Sequence, residues 1–315
     1  MRIRAGVDVG GSGVRAVVEL AAGRRRVQVT RPTHRRATID GATVVAAAVD
    51  AVTRAADVAH PPQLDAVCVG TTGLPGLLDD PAAMAAELRD RLGAHQVMVA
   101  GDALTTHLGA LGGRPGVVVA AGTGVIALGT DLGQVWNRTD GWGHLLGDEG
   151  GGAWIGRRGL VAALRHLDGR AGGSAPLAAA VATRYGDPAG LLSRVYNGES
   201  PSFELAAFAP AVADAARDGD AVAGSIWRRA GERLAESAVA AATGLEPRFS
   251  WGGGLFRTGS LLADPFRRAV LARLPGAHIV APDGDGADGA LRLLDHPQLT
   301  RHAGAFLHAS GFDDA

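Results

Sequence analysis

The sequence predicts an α/β protein built as two related halves. Short apolar runs alternate with longer amphipathic ones, the pattern of strands connected by helices. A strand, small-residue turn, strand unit occurs near the start of each half: Asp8-Val9-Gly10-Gly11-Ser12-Gly13 follows the apolar run 3–7, and Ala121-Gly122-Thr123-Gly124 follows 117–120. Both times the chain continues as a second strand, at 14–20 and 125–130, a faint internal duplication. At 315 residues and 47% hydrophobic content, the chain suits two domains of ordinary size whose core needs no staples.

The first hundred residues read as β-β-β-α-β-α-β, with strands near 3–9, 14–20, 26–29, 64–70 and 96–100 and helices at about 38–59 and 81–92. Val44, Val45, Val49 and Val52 mark the core face of the first helix. Parallel strands connected by helices place ligands beyond their carboxyl ends, and those ends hold Asp8, Gly70-Thr71-Thr72-Gly73 and Gly101-Asp102. After a helix at 103–111, Gly112-Gly113-Arg114-Pro115-Gly116 reads as a domain connection. Strands at 117–121 and 125–130 lead to a dense loop, Asp140-Gly141-Trp142-Gly143-His144-Leu145-Leu146-Gly147-Asp148-Glu149-Gly150-Gly151-Gly152. A helical stretch runs from 153 to about 243, where Leu160, Leu164 and Leu167, then Val222, Ile226 and Leu234, have amphipathic spacing. A strand at 248–251 enters Gly252-Gly253-Gly254, which opens another helix; a last strand at 278–280 precedes a helix at 287–294 and a tail expected to form one more helix.

Composition excludes several classes. With a net charge of −1 and no long basic block, neither nucleic acid nor a membrane is expected as a partner. Arg24-Arg25-Arg26 and Arg35-Arg36 read as solvated turns. The start lacks a signal-peptide core and no apolar run reaches the roughly 18 residues of a span, so the expected location is cytoplasmic. Cys68, the sole cysteine, rules out an internal disulfide, a four-cysteine zinc site and a single-chain iron–sulfur cluster, and its apolar strand suggests an inert core thiol.

The two glycine turns can aim several backbone N–H groups at one point, with Ser12 and Thr123 adding hydroxyls; facing each other, they would clasp a polyphosphate. A Walker loop needs Gly-Lys-Ser/Thr leading into a helix, and the dinucleotide fingerprint also needs a helix; here a β-rich run follows each turn. Asp8, ending its strand beside the first turn, suits magnesium, which takes one or two carboxylates and keeps its waters; the plain alternative is a turn cap. Asp102 is placed to orient an alcohol and accept its proton during phosphoryl transfer, or else caps its helix. In the dense loop, Asp148 and Glu149 suit vicinal hydroxyls and Trp142 offers a flat face to a sugar ring; otherwise the loop caps the next helix and its acids complement the dipole. His144 has no second histidine or cysteine at ligand spacing, which argues against a metal there.

Taken together, these motifs resemble the N-acetylglucosamine kinase branch of the BadF/BadG/BcrA/BcrD-type ATPase family, within the actin-like, hexokinase-like and Hsp70-like ATPases. The string from Gly141 to Gly150 is the most specific match, and Asp8-Val9-Gly10-Gly11-Ser12, Gly101-Asp102-Ala103, Gly122-Thr123-Gly124 and Gly252-Gly253-Gly254 agree in order. The resemblance implies two ribonuclease-H-like domains around a central cleft, 1–114 with 291–315 and 115–290, the second carrying a helical insertion. It implies ATP and Mg2+ as cofactors and an amino sugar as substrate, and a homodimer is expected. It makes Asp102 the catalytic base and Asp8 the metal ligand. ATP would be held by Gly10, Gly11, Ser12 and Gly13, by Gly122, Thr123 and Gly124, and by Gly252, Gly253 and Gly254. The sugar would meet Thr72, Gly73, Asp102, Gly141, Trp142, His144, Asp148 and Glu149.

This chain departs from the pattern at Val125-Ile126, where polar residues usually follow the second turn, at Thr30-Arg31-Pro32-Thr33-His34, where an asparagine is usual, and at Gly150-Gly151-Gly152-Ala153-Trp154. The kinase chemistry therefore transfers and the identity of the sugar does not. Two other readings are an ATP-binding sensor without turnover and an activator ATPase of a 2-hydroxyacyl-CoA dehydratase. The second needs cysteines for a cluster shared between subunits, and Cys68 offers one ligand at most.

Overall fold

The computed structural model describes residues 3–10, 13–29, 40–58, 63–74, 78, 80–198 and 200–312. Gly11, Ser12 and the 30–34 segment lie outside the described residues.

The first sheet starts as an antiparallel meander of β1 (Arg4–Gly10), β2 (Gly13–Leu20) and β3 (Gly23–Val29). Helix α1 (Gly41–Ala56) leads to β4 (Ala66–Thr71), parallel to β1, and α2 (Pro81–Leu92) leads to β5 (Gln96–Gly101), parallel to β4. Helix α3 (Asp102–Ala110) then crosses to β6 (Gly116–Ala121), and the same plan repeats. β6, β7 (Val125–Thr130) and β8 (Trp136–Asp140) form a second antiparallel meander. Six helices follow: α4 (Gly152–Leu167), α5 (Ala175–Tyr185), α6 (Pro188–Asn197), α7 (Pro201–Ala206), α8 (Ala209–Arg217) and α9 (Ala221–Ala241). β9 (Arg248–Gly252) pairs parallel to β6, and after a 3-10 turn at Gly254–Thr258 and α10 (Ser260–Arg273), β10 (His278–Ile279) pairs parallel to β9. The chain ends with α11 (Gly286–Leu293), two 3-10 turns and β11 (Leu307–Ser310).

The sheet orders are β11-β5-β4-β1-β2-β3 and β10-β9-β6-β7-β8, so apart from β11 each strand of one sheet has a counterpart of the same position and direction in the other. The duplication that two glycine turns suggested extends through both halves: these are two ribonuclease-H-like units. Their equivalent helices, α3 and α11, pack against each other with backbones in contact. A Cβ on Gly289 would lie 1.7 Å from the Thr105 carbonyl oxygen, and one on Gly109 would lie 2.0 Å from that of Asp285. Only glycine fits at both points of this crossing.

Local sequence explains most element ends. Asp40 starts α1 by accepting the Ala42 N–H, and Asp57, with φ at +59°, ends it in the left-handed conformation. Asp80 caps α2 through the Ala83 N–H, with Pro81 in the first turn. Val44, Val45, Val49 and Val52 are all buried against the first sheet, and the larger second core gathers Trp227, Phe208, Phe249 and Phe266.

Four expectations need correction. Arg24, Arg25 and Arg26 lie on β3 and not in a turn; Arg24 pairs with Glu19 (3.0 Å) and Arg26 reaches Asp285 (2.6 Å) and Asp288 (2.5 Å) at the start of α11. β8 was not foreseen, because Trp136-Asn137-Arg138-Thr139-Asp140 carries one apolar residue and sits half-buried at a sheet edge. The tail forms 3-10 turns broken by Pro297 and Gly304 and then a strand on the edge of the first sheet, where β11 pairs with β5. Gly252-Gly253-Gly254 runs into the 3-10 turn, and the helix proper starts only at Ser260.

Candidate active site

Parallel pairing brings the carboxyl ends of β1, β4 and β5 side by side: Asp8 is opposite Gly70, and Thr71 is opposite Gly101. Asp102, half-buried, is the first residue of α3. The cap position falls on Gly101, which has no side chain, so the carboxylate of Asp102 is not the helix cap. Burial pushes its carboxyl up to about 6, against the pull of the Ala103 N–H. Thr72 and Gly73, both half-buried, follow β4 directly.

Asp8 is 8% exposed, and Arg15, directly across the β1–β2 hairpin, donates to its Oδ2 at 2.7 Å. Burial raises the Asp8 carboxyl to about 7; Arg15 opposes that rise, and the charges of Asp102 and Asp285 add to it. The start of α11 closes over this carboxylate, since a Cβ on Gly286 would lie 2.7 Å from Asp8 Cγ. Three acids and one arginine therefore share a strand-end crevice between the sheets.

The second half supplies the other wall. In the β6–β7 turn the Gly122 N–H donates to the Gly124 carbonyl (2.9 Å), while Gly152 and Ala153 at the start of α4 donate to the carbonyls of Gly122 (2.8 Å) and Thr123 (2.9 Å). The third glycine turn packs on this one: Gly253 has φ +88°, and a Cβ there would meet the Ala121 carbonyl oxygen at 2.2 Å. Gly252 lies against Thr106 of α3, so Thr123, Gly252, Gly253 and the helix opened by Asp102 form one contiguous structure. Gly10 and Gly13 are paired at the mouth of the β1–β2 hairpin.

The dense loop is anchored by Asp140, whose Oδ1 accepts the N–H groups of Gly141 (3.0 Å) and Asp148 (2.6 Å) and whose Oδ2 accepts the Ser237 hydroxyl (3.2 Å). Asp148 is turned inward: Oδ1 accepts the Gly143 N–H at 3.2 Å, and a Cβ on Gly124 would lie 2.3 Å from Oδ2. Burial and the nearby Asp140 push the Asp148 carboxyl up to about 6, opposed by the N–H groups of Gly143 and Val125 and by Arg138. Glu149 pairs with Arg233 at 3.2 Å. Trp142 is 66% exposed, with the Arg138 guanidinium 4.8 Å from its ring centre; His144 is half-buried, and Leu145 and Leu146 are 83% and 85% exposed. Each of these loop residues is thus placed, with Asp148 fixing the β6–β7 turn to the loop.

Sequence reasoning passed over Arg15, Arg138, Asp140 and Asp285. Arg15 could have been found by pairing residues outward from the glycine turn, which sets it opposite Asp8. Arg138 was hidden with its unrecognised strand. Cys68 is fully buried and burial pushes its thiol up, as an inert core residue requires.

Two ribonuclease-H-like units whose glycine turns and acidic strand ends face a shared crevice define a two-domain nucleotide-binding fold of the actin-like ATPase type. The chain belongs to the BadF/BadG/BcrA/BcrD ATPase family, whose model matches residues 5–293. It is 28% identical over 73% of its length to an N-acetylmuramic acid/N-acetylglucosamine kinase of Clostridium acetobutylicum, covering 76% of that protein. It is 30% identical over 56% of its length to an N-acetyl-D-glucosamine kinase of Dictyostelium discoideum, covering 58% of it. A solved structure from Chromobacterium violaceum, described as a candidate N-acetylglucosamine kinase, superposes with a TM-score of 0.67 at 30% identity, covering 93% of this chain and 99% of that one.

Proposed function

We propose that this protein is an ATP-dependent carbohydrate kinase that phosphorylates a hydroxyl of an amino sugar such as N-acetylglucosamine, glucosamine or a muramic acid derivative. The observation that carries the reading is Asp102: a half-buried carboxylate at a strand end, free of cap duty, raised to about 6 and set among the glycine turns. At neutral pH it is ionised yet close enough to the operating range to take a proton.

In the reaction the sugar oxygen attacks the γ-phosphorus, the bond to the β,γ-bridging oxygen breaks, ADP leaves, and the hydroxyl proton passes to Asp102. The 10–13 turn and the N–H groups of Thr123 and Gly124 hold the phosphates, with Ser12 and Thr123 adding hydroxyls and Gly122 bracing its turn through the Gly124 carbonyl, and the 252–254 turn takes the adenosine. Thr72, Gly73, Gly141, His144 and the face of Trp142 line the sugar side. Asp148 sets the loop against the β6–β7 turn, and Asp148 and Glu149 supply the carboxylates on the sugar side. Asp8 fits magnesium: burial raises its carboxyl, Arg15 only partly offsets that, and the charges of Asp102 and Asp285 add to it, a crowding that a cation would relieve. Among the described residues no three acidic, histidine or cysteine side chains form a metal cluster, so the fit is to a cation that arrives with the nucleotide and keeps its waters. Bound there, magnesium would neutralise phosphate charge.

The domains divide as 1–114 with 291–315 and 115–290 and close about 112–116 and Leu291. Among the described residues no helix is long and apolar enough to cross a membrane. A cytoplasmic homodimer is the working assembly. ADP release measured across a panel of neutral and amino sugars tests the function; ATP binding without turnover on any of them would favour the sensor reading.

A further inference from the structure

We propose that Arg15 is a phosphate ligand parked on Asp8: when a cation comes to the Asp8 carboxylate with the nucleotide, the guanidinium passes to the transferring phosphoryl group and stabilises it during transfer. The inference rests on the sugar kinase reading and adds a catalytic residue to that same site.

Arg15 stands two residues beyond the first glycine turn. On β2 it is directly opposite Asp8 of β1, so the two side chains share a face of the sheet. Alternation along β2 identifies that face. Val14, Ala16 and Val18 are buried with Val44 and Val45 of α1, whereas Val17 lies in the core that joins the halves, with Leu104 of α3, Leu291 of α11 and Ile126 of β7. Arg15 therefore faces the second half of the protein, one alternation step nearer the glycine turn than Val17.

The arginines that brace this fold engage several donors each. Arg4 reaches Glu19 through two nitrogens and Asp295 through the third, Arg26 spans Asp285 and Asp288, and Arg292 takes the carbonyls of Leu108 and Gly109 as well as Asp283. The Arg15 side chain is covered as well as that of Arg4, 21% exposed against 19%, yet among the described residues its one hydrogen bond runs from Nη1 to Asp8 Oδ2. A guanidinium carries its N–H donors in a planar fork that matches phosphate as it does carboxylate. Most of the fork of Arg15 is thus unengaged, in the crevice where the phosphates are proposed to lie.

Charge sets the direction of the exchange. Asp8 feels the charges of Asp102 and Asp285, and Arg15 is the cation that opposes them. Phosphates entering beside these acids need positive charge there, and the glycine turns offer only N–H dipoles. A divalent cation at Asp8 would weaken the hold of that carboxylate on Arg15, since both draw on the same negative charge, and the adjoining phosphates would give the guanidinium a more highly charged acceptor. As the γ-phosphoryl group passes to the sugar its charge spreads over the equatorial oxygens, and a forked arginine placed there lowers the barrier.

The test compares wild type, Arg15→Gln and Arg15→Lys, with kcat and KM measured on the sugar that wild type uses best among N-acetylglucosamine, glucosamine and N-acetylmuramic acid. Each protein is also melted and, with that sugar present, titrated with MgADP and with MgADP plus aluminium fluoride, a mimic of the phosphoryl group in transfer. Arg15→Gln is expected to lower kcat about 100-fold or more with the sugar KM within about twofold. It should weaken the fluoride complex at least about 10-fold more than MgADP alone. Arg15→Lys keeps the charge and loses the fork, so it should recover part of both. A purely bracing role for Arg15 predicts a lower Tm and equal weakening of the two nucleotide complexes. That result, or a folded R15Q with more than half of wild-type turnover, would overturn the inference and leave the kinase reading standing. Should R15Q not fold, R15K with wild-type kcat and wild-type affinity for the fluoride complex would overturn it instead. Wild type that binds MgADP and phosphorylates none of the sugars would overturn the kinase reading and the inference with it.

Discussion

Replacing Asp102 with asparagine tests the proposed chemistry and the electrostatics of the crevice together. Asparagine preserves size and leaves α3 intact, since the cap position is Gly101. It removes the proton acceptor, so turnover should fall roughly 100-fold or more at saturating ATP and sugar. With the wild-type carboxyl at about 6 in the free protein, about one-tenth of it is ionised at pH 5 and about nine-tenths at pH 7, so kcat/KM should rise about tenfold across that interval. The variant should lose this limb of the profile. Stability should move the opposite way. A carboxyl raised from 3.8 to about 6 is ionised less readily in the folded chain than in the unfolded one, so above pH 4 it detracts from stability until the cost levels off beyond about 6. Asparagine should then stabilise the protein at pH 7.5 by about 1–3 kcal/mol, read as a higher Tm. Steady-state ADP release from pH 5 to 8, with a thermal melt at each pH, supplies every number. A variant that keeps more than half of wild-type turnover, or that retains the acid limb, would refute the role of Asp102.

Asp148→Ala removes the acceptor for the Gly143 N–H and the contact with Gly124, so sugar and ATP affinities should both weaken, the sugar by about 10-fold or more, with a lower Tm; calorimetric titration that finds only the sugar affected would make Asp148 a direct ligand and nothing more. His107 is fully buried, its Nε2 meets the Gly116 carbonyl at 3.0 Å, and burial pulls its pKa down to about 4. The unfolded chain therefore binds the proton first, and the stability present above pH 6.5 should be lost as pH falls towards 4, by up to about 3 kcal/mol; urea melts at pH 7.5 and 5 should show a smaller loss for His107→Gln than for wild type. ATP and sugar together should draw the halves closer, because the proposed phosphate donors are divided between the 10–13 and 122–124 turns; scattering that shows no compaction in a protein shown to bind both ligands would count against closure.

The parts of the fold legible in the sequence are those where burial repeats at a single period. Val44, Val45, Val49 and Val52 fixed α1, and the runs before Asp8, Gly70 and Asp102 fixed the parallel strands. Edge strands gave no such signal. β8 alternates polar residues that are all half-buried, and β11 is recruited to β5 from a tail punctuated by proline and glycine. At the site, the glycine turns and the acids were legible because their types are unusual for strand ends. Their partners were not, because pairing depends on register and on elements distant in sequence: Arg15 meets Asp8 across a hairpin, and Asp285 approaches it from the far end of the chain. The turn glycines illustrate the same limit. Read in sequence, they aim backbone N–H groups at one point; in the structure, Gly124 is also the space into which Asp148 fits.

Asp285 gives the crevice a connection to the domain junction. Its carboxylate caps α11 by accepting the N–H groups of Ala287 (3.0 Å) and Asp288 (3.3 Å), pairs with Arg26 of β3, and raises the Asp8 carboxyl through its charge. The helix it caps is the one that crosses α3 at Gly109 and Gly289, and α3 is the helix that Asp102 begins. The cation and phosphates proposed to bind at Asp8 would change the field felt by Asp102 and Asp285 together, one at the head of each crossing helix. Both carboxylates act on Asp8 by charge, so a cation bound there would be felt at the heads of both helices. On the proposed function, nucleotide binding and the position of the two halves would be linked through charge as well as through contact. Arg26 and Arg292, which hold Asp285 and Asp283 on either side of the same helix start, set how firmly α11 resists that change.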